Sequence, residues 1–317
     1  MQPVLSHRKR NVNSNYLTKF FTISFKQKLL LCNPPHTVKE ATMNLLVASK
    51  IDPASLNIKA QILRSYPFKE TQQNYQQNPA YTAQINGKNI TLVTLNEESV
   101  QAQYLPKDFP DANLIVFISR HSSQSGKPTL TVHVSGNFGA AELGGLTKTV
   151  SVAPAFAMQT ALKALMQMKE KLALNSEVSF EVTHHGPSLD VPSMFVELGS
   201  SPLQWSDQTA AQAVAYAAVT AIANPQAQAD IPVAIGIGGT HYNQKFTQLA
   251  LADKAVFGHM IPKYAVPIVD AELLLQCIQK TREKVTVALL DWKGIKSVDK
   301  PNLLETLKTA RLPYEKI

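Results

Sequence analysis

Short apolar runs alternate with longer helix-like segments along most of this chain, and this alternation constrains its fold more than any other feature. The strand-like runs are Asn44–Ser49, Ile90–Leu95, Leu114–Ile118, Thr129–Val134, Val178–Thr183, Ser193–Leu198, Val233–Ile237 and Val285–Leu290. The helix-like runs are Ala54–Leu63, Pro154–Leu172, Asp207–Ile222, Gln244–Ala252, Asp270–Lys280 and Pro301–Ala310. Strands that alternate with helices of about ten residues or more form a largely parallel sheet covered on both faces. The pattern therefore predicts a three-layer α/β/α fold with a mixed, mostly parallel sheet.

Three aspartates stand where helices are predicted to begin. Asp52 precedes Pro53, while Asp207 and Asp270 open two of the later helix-like runs. An aspartate side chain at this position accepts a hydrogen bond from a backbone amide of the first turn, and proline is favoured at the first helical position. We therefore expect all three aspartates to be N-caps.

The first 42 residues differ from the rest of the chain. They carry seven basic residues against one acidic residue, a net charge of +6, so the remainder carries only +2 of the chain's +8. They contain Pro34-Pro35 and lack amphipathic order. Three interpretations remain open: a disordered basic extension, a mis-assigned start with the protein beginning at Met43, or an organelle-targeting peptide. Residues 43–317 are predicted to form a single α/β domain.

Composition disfavours several classes of protein. No apolar run reaches the ~18 residues that a membrane helix requires, so we expect no membrane partner. Cys32 and Cys277 are the only cysteines, too few for a disulfide framework or a cysteine-based zinc site. A metal would have to use His, Asp or Glu, and a cytoplasmic location fits. Because the excess positive charge lies in residues 1–42, it does not argue for nucleic-acid binding by the remainder.

Histidines are concentrated where strands are predicted to end. Six of the eight fall between residues 121 and 259, each after an apolar run or beside a glycine. In α/β proteins the loops that follow strands form the active site. Histidine transfers protons near neutral pH and binds zinc. The distribution therefore favours a hydrolytic or metal-assisted site.

The motif Thr183-His184-His185-Gly186-Pro187 is the most prominent of these. Adjacent residues of a strand point to opposite faces, so both imidazoles reach one pocket only if the strand ends there. Gly186-Pro187 makes that end expected, because proline cannot continue a central ladder. Glu197, on the next strand-like run, could orient an imidazole or ligate a metal. The alternatives are a hydrogen-bonded turn for the histidines and a structural role for Glu197.

A strand that runs into a glycine loop precedes His241 and Tyr242. The sequence is Gly238-Gly239-Thr240-His241-Tyr242, and the amides of such a loop can approach an oxyanion or a phosphate closely. Neither a dinucleotide-binding fingerprint nor a P-loop is present, which disfavours a nucleotide cofactor. A tight strand-to-helix turn is the alternative.

The remaining histidine motifs are less specific. Ser119-Arg120-His121 offers a guanidinium for a phosphate or carboxylate beside a proton carrier, and Lys127 follows in a polar loop. His133 is equally compatible with a core position and with a site position. His259 is equally compatible with a site residue and with a loop histidine whose hydrogen bonds are satisfied. Neither Gly-x-Ser-x-Gly nor His-Glu-x-x-His occurs in the chain, so water is the expected nucleophile.

As a set, these motifs resemble the D-aminoacyl-tRNA deacylases of archaeal and plant type. The matching segments are Ser119-Arg120-His121, Leu130–His133, Thr183–Pro187, Pro192–Ser200, Gly236–Tyr242 and Gly258-His259. The resemblance implies hydrolysis of the ester between a D-amino acid and the terminal adenosine of tRNA, with associated Zn²⁺. It also implies a phosphorylase- or peptidyl-tRNA-hydrolase-like three-layer fold. The first 42 residues fall outside it.

The resemblance suggests roles for individual residues. His184, His185 and His241 are expected to be catalytic with Glu197, and the same three histidines are the predicted zinc ligands. The predicted substrate-binding residues are Arg120, His121, His133, Gly186, Pro187, Gly238, Gly239, Tyr242 and His259. Lys127 and Lys263 are further candidates for contact with acceptor-stem phosphates.

Several alternatives stay open on the sequence alone. The 2′-hydroxyl of the adenosine could take part in activating water. The enzyme could instead be a peptidyl-tRNA hydrolase or a zinc amidohydrolase, or the chain could be a non-catalytic RNA-binding protein. The expected partner is the acceptor end of D-aminoacyl-tRNA, and the expected assembly is a monomer or homodimer.

Overall fold

The computed structural model describes residues 43–225 and 230–317. The predicted basic extension, residues 1–42, lies outside this part of the chain. The described residues all fall within one compact unit. None of their helices combines the length and the apolar character needed to cross a bilayer. The boundary of the predicted single domain stays a prediction.

The described residues form fourteen strands and eight α-helices. The strands are β1 (Met43–Ser49), β2 (Lys69–Tyr75), β3 (Asn78–Ile85), β4 (Lys88–Leu95), β5 (Ala112–Ser122), β6 (Thr129–His133), β7 (Gly136–Asn137), β8 (Thr149–Val150), β9 (Glu177–Phe180), β10 (Ser193–Ser200), β11 (Val233–Ile237), β12 (Val256–Ile261), β13 (Val287–Leu290) and β14 (Tyr314–Lys316). The helices are α1 (Pro53–Ser65), α2 (Leu105–Asp108), α3 (Ala155–Lys171), α4 (Pro202–Trp205), α5 (Gln208–Ala223), α6 (Gln244–Leu251), α7 (Ala271–Gln279) and α8 (Lys300–Thr309).

Two sheets make up the framework. The larger has the order β2-β3-β4-β1-β5-β10-β6-β9 and is mixed, and the smaller, β12-β11-β13-β14, is parallel throughout. Within the larger sheet, β4, β1, β5 and β10 pair in parallel, whereas β6 is antiparallel to β10. The predicted α/β class with mostly parallel pairing is confirmed. The division into two sheets was not anticipated, and the likeness to phosphorylase and peptidyl-tRNA hydrolase stays a prediction.

Neighbouring residues on a strand point to opposite faces of the sheet and pack into different hydrophobic cores. On β5, Val116 packs with α1, α3 and α5, whereas Phe117 packs beneath α2 on the opposite face. On β11, Ala234 joins the core that contains α6, and Ile235 joins the one that contains α7 and α8. Both sheets are therefore covered on both faces, and apolar burial drives this layering.

The predicted N-caps are confirmed. The carboxylates of Asp52, Asp207 and Asp270 accept hydrogen bonds from first-turn backbone amides of α1, α5 and α7 at 2.8 to 3.1 Å. Asp52 also accepts the backbone amide of Arg120 at 2.7 Å, which ties the start of α1 to the end of β5. The N-cap Asp52 therefore also holds the end of β5, one of the strands that carry the site.

The two sheets meet at the end of β9. The backbone amide of Val182 donates to the carbonyl of His241 at 3.0 Å, and that of Thr183 donates to Met260 at 2.9 Å. Glu181 and Tyr242 form an isolated antiparallel bridge at the same place. This junction brings the chain after β9 and the loop after β11 together, although about 60 residues separate them in sequence.

Candidate active site

Five of the six histidines singled out from the sequence form one cluster at the sheet junction. They are His121 on β5, His133 at the end of β6, His184 and His185 after β9, and His241 after β11. Ring centroids of neighbouring imidazoles lie 4.3 to 6.1 Å apart. The structure therefore assembles residues from both sheets into a single group of titratable side chains.

A fully buried carboxylate, Glu181, lies at the centre of this cluster. Its Oε1 lies 3.0 Å from His121 Nδ1, and its Oε2 lies 2.7 Å from His241 Nε2 and 3.6 Å from His184 Nε2. Sequence reasoning missed this residue. The available signal was an acidic side chain between apolar neighbours, three residues before His184. A charge at such a position must be paired when it is buried.

The predicted carboxylate Glu197 lies beside Glu181. Glu197 accepts a hydrogen bond from the Ser119 hydroxyl at 2.7 Å, and its Oε2 lies 3.4 Å from His121 Nδ1 and 3.6 Å from His133 Nε2. The ring of His133 stacks on Phe195 with a centroid distance of 4.9 Å. Glu197 is therefore placed to hold His121 and His133 rather than the His184-His185 pair.

His121 is the cation between the two carboxylates. Burial alone would lower its pKa, but the pairing with Glu181 and Glu197 outweighs burial and raises the pKa to about 11. Burial would raise the pKa of Glu181, whereas His121 and His241 hold it well below its usual range. At neutral pH both carboxylates are thus ionised and His121 is charged. The Nε2 atom of His121 lies 2.5 Å from the Tyr242 hydroxyl, which places Tyr242 beside the cluster.

His184 and His185 have the opposite character. Their Nδ1 atoms donate to the carbonyls of Val182 at 2.8 Å and Gly186 at 2.6 Å, which leaves both Nε2 atoms with a lone pair. Burial and the neighbouring imidazoles lower the pKa of His184 well below its usual value. Burial, and to a smaller extent the nearby His133, lowers the pKa of His185 to about 4. The backbone of His185 is left-handed, with φ of 44°. This turn ends the strand alternation, so the two rings lie together with centroids 4.3 Å apart.

The cluster opens on a cavity of about 490 Å³. Its lining residues are Asp52, Glu98, Ser99, Val100, Ser119, Arg120, His121, Ser122, Leu143, His184, His185, Phe195, Glu197 and His241. We call it the histidine cavity. The side chain of His241 is 37% accessible, against 20% for His184 and 8% for His121. His241 is therefore the imidazole best placed to meet a substrate at the mouth.

Arg120 reaches the histidine cavity, but its charge is already compensated. Its guanidinium lies 2.6 Å from Glu98 and 3.9 Å from Asp52 and stands over the ring of Trp205. The neighbouring carboxylates thus satisfy the group that the sequence suggested as a phosphate clamp. Lys127 is exposed and is not part of the lining.

The glycine loop after β11 does not line the histidine cavity. Gly239, with φ of 81°, lies instead against a separate cavity of about 190 Å³ that includes Lys245 and Lys263, and Gly238, with φ of 102°, lines neither of these cavities. A Cβ atom on Gly239 would lie 2.3 Å from the Asn243 amide nitrogen, so the turn requires glycine. The loop brings His241 to Glu181, and the predicted oxyanion role of Gly238 and Gly239 stays a prediction.

His259, Gly186 and Pro187 occupy structural positions. His259 is fully buried, with Nδ1 3.2 Å from the Thr183 hydroxyl and Nε2 3.3 Å from the carbonyl of Lys280. It is not among the residues that line the histidine cavity, so its predicted contact with substrate stays a prediction. A Cβ atom on Gly186 would lie 2.2 Å from the Gly145 backbone nitrogen. The Pro187 carbonyl accepts a hydrogen bond from a buried serine hydroxyl.

Donor atoms suited to a metal ion lie close together in this cluster. Three groups have ligand atoms within 4.8 Å of one another: His133, His184 and His185; His121, Glu181 and His241; and His133, Glu181 and Glu197. The predicted ligands His184, His185 and His241 are divided between the first two. His133 Nε2 and Glu181 Oε1 are buried without a well-aligned hydrogen bond within the described residues. Imidazole and carboxylate donors with such unsatisfied atoms fit Zn²⁺.

This chain is similar to known proteins in both sequence and fold. The family model for D-aminoacyl-tRNA deacylase matches residues 108–315. The D-aminoacyl-tRNA deacylase of Thermococcus kodakarensis is 37% identical over 87% of this chain and 97% of its own length. That of Methanosarcina barkeri is 35% identical over 84% and 87%. A crystal structure of a conserved protein of unknown function has a TM-score of 0.77 and 32% identity, covering 86% of this chain and 95% of that one.

An α/β protein with a carboxylate–imidazole cluster at the mouth of a cavity has the attributes of a hydrolase. The extent of these matches identifies the family: the chain belongs to the D-aminoacyl-tRNA deacylases.

Proposed function

We propose that this protein hydrolyses the ester bond of D-aminoacyl-tRNA and releases free tRNA and the D-amino acid. The family membership supports the reaction class. The structural observation that carries the proposal is the 2.7 Å hydrogen bond between Glu181 and the partly exposed His241 at the mouth of the histidine cavity. A tRNA substrate accords with the expected cytoplasmic location. The expected assembly, a monomer or homodimer, stays a prediction.

His241 is the general base in this proposal. Its Nε2–H donates to the ionised Glu181, and no described residue bonds its Nδ1, which therefore keeps a lone pair for a water molecule. A carboxylate that orients an imidazole fixes its tautomer and stabilises the imidazolium that forms. Water attacks the ester carbonyl carbon as its proton passes to His241. The carbon–oxygen bond to the terminal ribose then breaks, and His241 returns the proton to the leaving ribose oxygen.

His121, Tyr242 and Glu197 position this pair. The charged His121 lies between the two buried carboxylates, so it balances them and keeps Glu181 ionised. The Tyr242 hydroxyl, 2.5 Å from His121 Nε2, holds the far side of the ring. Without His121 the two carboxylates would repel one another, and one of them would take up a proton.

The imidazoles of His133, His184 and His185 would hold Zn²⁺. All three belong to one group of close donor atoms, and two of them have their Nδ1–H fixed by backbone carbonyls. Three imidazoles with an open position are a set found at catalytic zinc sites. When bound, the metal would act as a Lewis acid toward the ester carbonyl.

The reaction is tested by deacylation of matched D-Tyr-tRNA and L-Tyr-tRNA by the purified protein. We expect rapid release from the D ester and at least a hundredfold slower release from the L ester. Equal rates on both esters would contradict the proposal. Release only from an N-blocked peptidyl-tRNA would indicate a peptidyl-tRNA hydrolase instead.

A further inference from the structure

A second cavity of about 380 Å³ lies beside the histidine cavity. The two share Leu143, His184 and His185, so they meet at the His184-His185 pair. Apart from these residues the second cavity is formed mainly by the chain after β6 and by the segment after β12. We call it the side cavity. A substrate whose ester lies at the histidines has room to extend in both directions.

The wall between the cavities is held in place by several hydrogen bonds. The Asn137 side chain donates to the carbonyls of Gly144 and Leu146 at 2.9 and 3.2 Å. The backbone amide of Gly186 donates to the Leu143 carbonyl at 2.9 Å. Leu143 is 64% exposed although it is apolar. The partition is therefore preformed, and its apolar tip is available to a ligand.

The two cavities differ in chemistry. The lining of the histidine cavity includes three carboxylates, those of Asp52, Glu98 and Glu197, against two cations, the Arg120 guanidinium and the charged His121. The side cavity has a single carboxylate, Glu142, among apolar and aromatic groups that include Phe138, Ala140, Tyr264 and Ile268. A free α-ammonium group is favoured beside carboxylates, whereas a nucleobase is favoured against apolar and aromatic surface.

Tyr264 is the distinctive residue of the side cavity. It is 61% exposed, an unusual state for so large a ring, and Ile268 beside it is 48% exposed. The preceding residue, Lys263, is exposed and lines the neighbouring small cavity, and its ammonium forms no ion pair with any residue in the described ranges. The exposed ring of Tyr264 offers a surface on which a purine base can stack, and the unpaired cation of its neighbour in sequence, on the wall of the adjoining cavity, offers a partner for a phosphate.

We propose that the side cavity binds the terminal adenosine of the substrate, with adenine stacked on Tyr264 and the 5′-phosphate near Lys263. This inference rests on the proposed function, because it places the ester at His184 and His185 and the aminoacyl group in the histidine cavity. The protein then recognises one nucleotide by its aromatic surface and one cation. Such recognition requires no extensive basic face for the rest of the tRNA.

The test is the binding of AMP to the purified protein by isothermal titration calorimetry. We expect AMP to bind, Tyr264→Ala to weaken binding about tenfold, and Tyr264→Phe to retain most of the affinity, since stacking contributes roughly 1–3 kcal/mol per base. Lys263→Ala is expected to weaken AMP but not adenosine. Tyr314→Ala is the matched control, because Tyr314 is also an exposed aromatic residue, at 42%, and lies on β14 away from the side cavity.

Three outcomes separate the possibilities. Absence of AMP binding to the wild type, or equal binding by wild type and Tyr264→Ala, would overturn the adenosine site even if deacylation is D-specific. If Tyr264→Ala slows only esters of aromatic D-amino acids, the side cavity holds the amino-acid side chain and the assignment is wrong. Normal AMP binding that depends on Tyr264, without any deacylation, would overturn the proposed function and leave the nucleotide site supported.

Discussion

Glu181 and His241 are joined by a 2.7 Å hydrogen bond between Oε2 and Nε2, across the junction of the two sheets. Glu181 immediately follows β9 of the larger sheet, and His241 is in the loop that follows β11 of the smaller one. The base proposed for the reaction and the group that orients it are thus supplied by different sheets. The two sheets must pack correctly before the pair can form.

Replacing Glu181 with glutamine should impair catalysis more than substrate binding. The amide keeps the shape of the side chain but loses the charge that stabilises the His241 imidazolium, so we expect kcat to fall by roughly 100-fold with little change in KM. Single-turnover deacylation of D-Tyr-tRNA measures this effect. The control is Glu170→Gln, on the exposed side of α3, which should leave kcat unchanged. An unaltered kcat in Glu181→Gln would remove Glu181 from the mechanism.

Metal content should separate the candidate ligand groups. If His133, His184 and His185 hold Zn²⁺, then His133→Ala and His185→Ala should lose the metal, whereas His241→Ala should retain it and lose activity. Inductively coupled plasma mass spectrometry of the purified variants gives the zinc stoichiometry directly. The converse result, in which His241→Ala is metal-free and His133→Ala is loaded, would assign the ion to the His121–Glu181–His241 group.

The aspartate caps of α1 and α5 should differ in their contribution to stability. Asp207→Ala removes a cap from α5 and should lower the free energy of unfolding by about 1 kcal/mol. Asp52 is 2% exposed and also accepts the amide of Arg120, so Asp52→Ala should cost about 2–4 kcal/mol. Urea denaturation measures both values. Equal losses would mean that the Asp52–Arg120 contact contributes little.

The local features of this chain were predictable because they depend on neighbouring residues. The alternation of strands and helices, the capping role of Asp52 and the convergence of histidines at strand ends all follow from short-range patterns. The orders β5-β10-β6-β9 and β12-β11-β13 depend on long-range pairing that no local pattern encodes. The sequence therefore indicated that His241 and Glu197 belong to a site, but not which imidazole each carboxylate would meet.

Glu181 and His259 both show that local sequence patterns do not determine which polar side chains the tertiary structure buries. Glu181 was overlooked because a single acidic residue in an alternating strand is usually assigned to the solvent face, whereas in the structure it is fully buried at the junction of the two sheets. The glycine beside His259 suggested a site loop, whereas the structure places this histidine on the buried strand β12. The difference between a site histidine and a core histidine is set by the tertiary structure.

Removing His259 should change how stability depends on pH. Burial lowers the pKa of His259 from 6.5 to about 4, so the ring stays neutral in the folded protein. Above pH 6.5 neither state binds the proton. Between pH 6.5 and 4 the unfolded chain binds a proton that the folded protein does not, so stability is lost as the pH falls. Between pH 7 and 5 the loss from this residue is on the order of 2 kcal/mol.

The measurement compares the free energy of unfolding of the wild type and His259→Gln at pH 7 and pH 5. Subtracting the two proteins cancels the other histidines, which titrate in both. We expect His259→Gln to be less stable than the wild type at pH 7, because a buried imidazole with two hydrogen-bond partners is replaced. Its further loss at pH 5 should be smaller by about 2 kcal/mol. Parallel losses in the two proteins would mean that His259 is protonated in the folded state, contrary to its buried position.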